Sequence, residues 1–261
     1  MLRALYTSST GMYAQQLNMD TIAHNIANVN TAGFKKSRLE FQDLLYQTMA
    51  RPTTGATGAQ PVGIAVGLGV RPSATQTIFT QGNLTPTGNP LDVAIQGAAF
   101  FKVTAPGGEE AFYTRDGSFK LDSEGNLVTT DGYQVAGASA IDPQATDISI
   151  APDGTISFLA PGESEASEGG RIELVKFANP AALERIGKNL YRATPASGEE
   201  QAWDPESDGS VSLQGGYLET SNIQIVEEMV NLITVQRAYE INSKVIQSSD
   251  EMLATAANLR R

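Results

Sequence analysis

His24 is the only histidine in the chain, and cysteine is absent. Any nucleophilic triad or imidazole-bound metal must therefore use that one ring. No serine nucleophile motif or second ligand stands near it in sequence, and it reads as a polar position on a helix face. Asp204, Glu206, Asp208 and Gly209 imitate the start of a calcium-binding loop, but Gly215 occupies the twelfth position, where a bidentate glutamate is needed. Asp122, Glu124 and Asn126 lack the glycine at the sixth position. Both sets read as acidic turns, with weak calcium affinity as the alternative. Gly187-Lys188 lacks the upstream glycine and following Ser/Thr of a phosphate loop. Gly63, Gly67 and Gly69 are wrongly spaced for a dinucleotide fingerprint. Carboxylates are plentiful enough to leave a paired-carboxylate hydrolase open, yet nothing singles out a pair. The expectation is no catalytic, cofactor-binding or metal residue and no cofactor.

The elements that would have to position such groups point elsewhere. Leu5, Met12, Met19 and Ile26 recur at intervals of seven near the N-terminus, with Leu2 and Ile22 at helical spacing between them. Ala238, Val245, Met252 and Leu259 do the same near the C-terminus, with Ile241 and the polar Ser248 and Thr255 intervening. A sustained heptad describes a helix that buries a narrow seam against another helix. The two ends are expected to meet each other or the equivalent helices of other copies. Gly11 costs the first helix about 1 kcal/mol relative to alanine, so that helix is marginal alone. It should end in the turn-rich run Asn28-Val29-Asn30-Thr31-Ala32-Gly33. Ser221 and Gln224 form a capping-box pattern for the second helix. Glu227 and Glu228 early, and Arg260 and Arg261 late, complement its dipole. Because Arg237 and Glu240 break register with Ile223, Val226, Val230 and Ile233, a stutter is expected between two paired segments.

Between the ends the chain reads as β structure. Residues 48–69 are rich in Gly, Pro, Thr and Ala, including Arg51, Pro52, Gly55, Gly58 and Pro61, and suggest a loop or extended arm. From about 91 to 216, alternating segments such as Leu91–Ile95, Phe100–Val103 and Ile172–Phe177 are separated by turn signals. These turns fall at Asp116-Gly117, 122–126, Asp131-Gly132 and 152–154, which predicts hairpins of an antiparallel, all-β domain. The expected layout is an N-terminal helix (1–32), a connecting region with the arm (33–90), a β-rich domain (91–216) and a C-terminal helix (217–261). The fold class is thus mixed: N- and C-terminal α-helices pairing as a coiled-coil-like unit, with a central all-β domain and an extended arm.

The chain's 261 residues, 41% hydrophobic, allow one large or two ordinary folded domains. A net charge of -11 argues against nucleic-acid binding, which needs a concentrated basic face. The small cluster Lys35, Lys36 and Arg38 reads as solvation of a helix–loop junction. No run of about 18 apolar residues is present, so no membrane insertion is expected. Nor do the periodic apolar residues of the N-terminus make a cleavable secretory signal.

The N-terminal run Ala23-His24-Asn25-Ile26-Ala27-Asn28-Val29-Asn30-Thr31-Ala32-Gly33-Phe34-Lys35 resembles the signature of bacterial flagellar rod and hook proteins. The segments 219–223 and Gln236-Arg237-Ala238-Tyr239-Glu240-Ile241-Asn242-Ser243-Lys244 resemble the matching C-terminal end of that family. Gln81–Leu84, Tyr113–Phe119 and Gly187–Tyr191 also match, in the family's order, so the likeness spans nearly the whole chain. Its one mild departure is His24, where an asparagine is common. Length and the segment Asp43–Met49, followed by the Gly/Pro-rich arm, lie nearest the distal-rod members. Proximal-rod members are the close relatives to exclude; hook members are usually longer.

The resemblance implies a non-enzymatic subunit of the flagellar basal body, polymerising into a rigid hollow shaft that carries torque across the periplasm to the hook. Export through the flagellar type III apparatus without a cleaved signal is implied too. So are termini that are flexible in the monomer and helical on assembly, lining an inner tube with the β-rich domain outside. Implied partners are other copies of the chain in a helical array, proximal rod proteins, hook or hook-junction proteins, and surrounding rings. Assembly is expected to rest on Leu5, Met12, Met19, Ile22, Ile26, Ile241, Val245, Met252 and Leu259. The motif residues Asn25, Asn28, Gly33 and Phe34 should shape the helix-to-body junction, beside Arg237 and Tyr239 of the C-terminal motif. The arm should bridge neighbouring subunits; a passive surface loop is the alternative. From a different class, the competing reading is a secreted β-domain hydrolase or carbohydrate binder that uses the acidic turns.

Overall fold

A computed structural model describes residues 2–52, 62–108, 110–143, 145, 147–160 and 166–258. The chain divides into two compact units. One comprises Met1–Ala27, Ser37–Gln76 and Gln224–Arg261; the other comprises Asn28–Lys36 and Thr77–Ile223.

The first unit is built on two helices, α1 (Leu2–Ala27) and α2 (Ile225–Asn258), which pack against each other. α2 opens with Glu227 and Glu228 in its first turn, complementing the helix dipole; Arg260 and Arg261 lie outside the described residues. Four strands complete the unit: β1 (Ser37–Asp43), β2 (Tyr46–Ala50), β3 (Ile64–Gly67) and β4 (Val70–Thr77). β1 pairs with β4, and β2 pairs antiparallel with β3.

Two expectations are corrected here, and a third is narrowed. Of the two readings of 48–69, a plain loop does not hold at the ends: Tyr46, Gln47, Thr48 and Ala50 pair with Gly67, Val66, Ala65 and Ile64. The residues with pairing capacity flank the Gly/Pro-rich stretch, which is confined to 51–63. Nor does the capping box at Ser221 form. α2 begins at Ile225, the Glu228 N–H bonds the Gln224 carbonyl, and the buried Ser221 hydroxyl has no partner among the described residues. Asn222, bonded to Ile78 and Thr80, holds the preceding backbone in the β unit, so Ser221 is not placed at the helix start. Finally, the buried positions Glu228, Val235 and Ser249, with half-buried Asn242, recur every seven residues along α2 without a stutter.

The second unit is the β body. It takes in 28–36 and 77–223, wider than the expected 91–216. Among the described residues its largest sheet has nine strands. At its centre Phe100–Thr104 pairs antiparallel with Ala111–Thr114 on one edge. The other edge is shared by Leu174–Lys176 and Gln134–Val135, which diverge around Lys102. Consecutive residues on a strand face opposite sides of the sheet, so this central strand feeds two cores. Phe101 and Val103 pack with Ile95, Phe119, Leu127 and Leu174, while Phe100 packs with Tyr113, Val175, Phe177 and Tyr191.

Three of the four expected hairpins are present. Lys120–Leu121 pairs with Leu127–Val128, Val128 with Gln134, and Asp147–Ile150 with Thr155–Leu159. Asp116-Gly117 does not make one. Ala111–Thr114 pairs instead with Leu190–Arg192 and the central strand. Gly117 passes against Val93, whose carbonyl a Cβ there would strike. The turn thus redirects the chain across the sheet rather than folding it back.

Candidate functional site

Three stretches of the β body, distant in sequence, converge on Glu219, at the end of the strand Tyr217–Glu219. Its carboxylate accepts from Lys35 Nζ at 2.6 Å and Arg115 Nη1 at 3.2 Å, with side chains 0%, 2% and 0% exposed for lysine, arginine and glutamate. The Gly82 N–H bonds the same carboxylate at 2.8 Å, and the Gly33 N–H bonds the Glu219 backbone carbonyl at 2.8 Å. The excess positive charge is shared with carbonyls: Lys35 donates to Thr80 and Arg115 to Gly97. Burial pulls both cations below their ordinary pKa, and the Glu219 charge opposes that pull. Burial likewise raises the neighbouring Tyr191 phenol.

Amide side chains extend the site. Asn222 accepts from the Lys36 N–H at 2.8 Å and donates to the Ile78 carbonyl at 2.8 Å and to Thr80 Oγ1 at 2.9 Å. Asn189 donates to the Ala32 carbonyl and to Asp116 Oδ2. Arg185 donates to the Lys35 carbonyl and stands 5.7 Å from the centre of the Phe34 ring. Gly33 is left-handed at φ +66°, and a Cβ there would lie 2.6 Å from the Arg115 carbonyl carbon and the Asp116 nitrogen. Apart from Arg115 Nε, which has no partner among the described residues, these donors are held by backbone, by an opposite charge or by the Thr80 hydroxyl. The arrangement fixes chain segments and offers no reacting group.

Lys35 is thus a correction: the lysine expected to solvate a junction is wholly buried, because Glu219 supplies its counter-charge. Sequence reasoning also passed over Glu219 and Arg115, although both sit inside quoted motifs. The signal at Glu219 was a lone charge after glycines and apolar residues; Arg115, beside Asp116, carried none. Of the other motif residues, Asn25 is buried in the helical unit, donating to the Ser37 carbonyl and accepting from its N–H. Asn28 accepts from the Thr31 N–H and hydroxyl, which fixes the turn after α1. Arg237 makes an exposed ion pair with Glu240, and Tyr239 is exposed.

The helical unit places the seam residues differently from their expected phase. In α1 the buried side chains are Ser8, Ala14, Ile22 and Asn25, whereas Leu5, Met12, Met19 and Ile26 are only half-buried. In α2, Ile241 is 61% exposed, Met252 50% and Val245 38%. Leu2, Tyr6, Tyr13, Val226, Met229, Val230 and Ile233 are exposed as well. The buried positions of the two helices are mostly small or polar, with Ile22 and Val235 among them, while most of the larger apolar side chains are half-buried or exposed. Leu259, Gly55, Gly58 and Pro61 lie outside the described residues; Arg51 and Pro52 are exposed at the end of the β2–β3 ribbon.

The acidic turns serve their own loops. Asp208 is held by Lys176 and Ser210, and Asp204 accepts from the Glu206 N–H and Ser207 hydroxyl. His24 lies on an exposed face of α1. Among the described residues no cluster of His, Asp or Glu could hold a metal, and no helix is long and apolar enough to cross a membrane.

Three family profiles match the chain: "Flagella basal body rod protein" over residues 5–35, "Flagellar hook protein FlgE/F/G D1 domain" over 94–158, and "Flagellar basal body rod FlgEFG protein C-terminal" over 214–259. Together with helical terminal segments and a β-rich stretch between them in sequence, they define a structural protein of the flagellar axial class. The chain is 50% identical to the flagellar basal-body rod protein FlgG of Borreliella burgdorferi, covering 100% of both, and 41% identical to that of Bacillus subtilis, again over 100% of both. To the rod protein FlgF of Caulobacter vibrioides it is 36% identical over 97% of this chain and 96% of the other. The chain belongs to the family of the flagellar basal-body rod protein FlgG, whose members are structural proteins rather than enzymes.

Proposed function

We propose that this protein is a structural subunit of the distal rod, polymerising with copies of itself into a stiff hollow shaft that transmits torque from motor to hook. Whole-chain identity to FlgG proteins above that to FlgF supports the distal over the proximal reading. The observation that carries assembly is the outward placement of large apolar side chains on both helices, led by Val226 at 76% exposure, Tyr6 at 73% and Leu2 at 70%. Contiguous apolar surface of this kind marks a face that another chain covers. Its occupants are further copies: a heterologous contact that does not close on itself makes an open helical array. Leu5, Met12, Met19, Ile26, Ile241, Val245 and Met252 join that face, and Ile22 supports it from within the subunit. Proximal rod and hook-junction proteins at the ends, rings around the shaft, and the export apparatus complete the partners. The subunit belongs to the basal body, in a rod that spans the periplasm.

The test uses purified subunit at polymerising concentration, followed by sedimentation and electron microscopy. V226D/I233D/I241D should leave a folded monomer that forms no filaments; filaments at the wild-type yield would refute the reading. The β2–β3 ribbon is the proposed brace between neighbours. Deleting residues 51–63 should give polymers that bend, and straight, stiff polymers would remove that role.

A further inference from the structure

We infer that Glu219 anchors a clasp that makes residues 28–36, 77–83 and 217–223 order as one cooperative element, so that the N- and C-terminal family motifs fold together or not at all. The inference concerns the single chain and does not rest on the assembly reading.

The bonds that join these segments have no independent footing. Residues 28–36 reach the C-terminal stretch through Gly33 N–H to the Glu219 carbonyl, Lys35 to the Glu219 carboxylate, and Lys36 N–H to Asn222. They reach residues 77–83 through Ile78 N–H to the Lys36 carbonyl and Lys35 to the Thr80 carbonyl. The C-terminal stretch in turn holds 77–83 through Gly82 N–H to Glu219 and Asn222 to Ile78 and Thr80. Each segment thus bonds both of the others.

Charge makes the coupling steep. Lys35 and Arg115 are buried with one carboxylate between them. Withdrawing residues 217–223 leaves two cations without that anion in a place that excludes water, which is far costlier than losing ordinary hydrogen bonds. Withdrawing residues 28–36 leaves Glu219 still paired with Arg115, but opens the Gly33, Lys36 and Ile78 bonds together. The asymmetry is a signature: removing the shared anion must cost more than removing either cation.

Hydrogen–deuterium exchange on the full chain, read by mass spectrometry for peptides covering 28–36, 77–83, 217–223 and the central strand 99–104, tests this directly. E219Q should speed exchange in all three clasp peptides by about a hundredfold or more, with 99–104 unchanged. K35M, which keeps the aliphatic stem and leaves Arg115 on Glu219, should change them far less. K35M/E219Q should exchange more slowly than E219Q, because one orphaned cation is gone. If E219Q opens 99–104 as well, N222A serves in its place: it removes the bonds to Lys36, Ile78 and Thr80 without disturbing a charge. N222A should then loosen 28–36 and 77–83 together, by several-fold. Faster exchange confined to 217–223 in either variant, or a K35M effect equal to that of E219Q, overturns the clasp.

Discussion

Gly11 of α1 lies so close to Asn242 of α2 that a Cβ at Gly11 would stand 3.0 Å from the asparagine Nδ2 and 3.4 Å from its Cγ. The glycine that weakens the first helix is therefore what lets the two helices approach. The buried positions of the two helices combine the small or polar Ser8, Ala14, Asn25, Glu228 and Ser249 with the apolar Ile22 and Val235. Large apolar side chains such as Tyr6, Val226 and Ile233 stay exposed and available to other chains.

Gly11→Leu should separate the helices, because a leucine needs the space Asn242 fills. Thermal melts followed by circular dichroism should lose helical signal at lower temperature than wild type while near-ultraviolet signals of the β body hold. An unchanged helical melt would show that Gly11 does not set the approach.

Gly33→Ala combines two penalties. Left-handed backbone costs an L-residue about 1–2 kcal/mol, and the new methyl meets the Arg115–Asp116 backbone. Unfolding in urea should show a loss of about 3 kcal/mol with the denaturant slope preserved. A loss below about 1 kcal/mol would mean that the backbone relaxes.

At the tip between Glu184–Gly187 and Leu190–Arg192, Lys188 and Asn189 both adopt left-handed backbone, with φ 55° and 59°. Lys188 is largely exposed, and its ion pair with Asp131 spans 3.6 Å, worth under about 1 kcal/mol. Lys188→Gly should stabilise the β body by about 0.5 kcal/mol. Asn189→Gly suits the turn equally well but loses the bonds to Ala32 and Asp116, and should destabilise. Opposite signs in paired urea titrations are the expected result.

The Asp208 carboxyl is held down to about 2, first by its bond from Lys176 and then by those from Ser210. Its ordinary value is 3.8. The folded state thus releases this proton more readily than the unfolded state. The stabilisation is fully present above pH 3.8 and is lost as pH falls through about 2. In Asp208→Asn the acid-induced loss of stability should be shallower across that window. Identical slopes for variant and wild type would contradict the assignment.

Much of this architecture was legible in the residues. Heptad spacing marked both helices, and Gly125, Gly132 and Gly154 marked three true hairpins, each with left-handed backbone. Phase was not legible. Leu5, Met12, Met19 and Ile26 form the more apolar stripe, and apolarity ordinarily signals the buried side. Here the fully buried positions are mostly small or polar, with Ile22 and Val235 among them, and that stripe stays half-buried. Lys35 misled for a related reason: a lysine reads as solvated unless its counter-charge is known, and Glu219 lies far along the chain. Asp116-Gly117 carried a hairpin signal, but the crowding against Val93 that sets its path is a tertiary fact.

The central claim is that the helices carry their assembly surface on the outside. A density map of polymers grown from this chain tests it most directly. The account predicts Tyr6, Val226, Ile233, Ile241 and Met252 buried between copies, while Gly11 and Asn242 remain in contact within each. A polymer in which those five side chains face solvent and the β bodies alone make the contacts would contradict it.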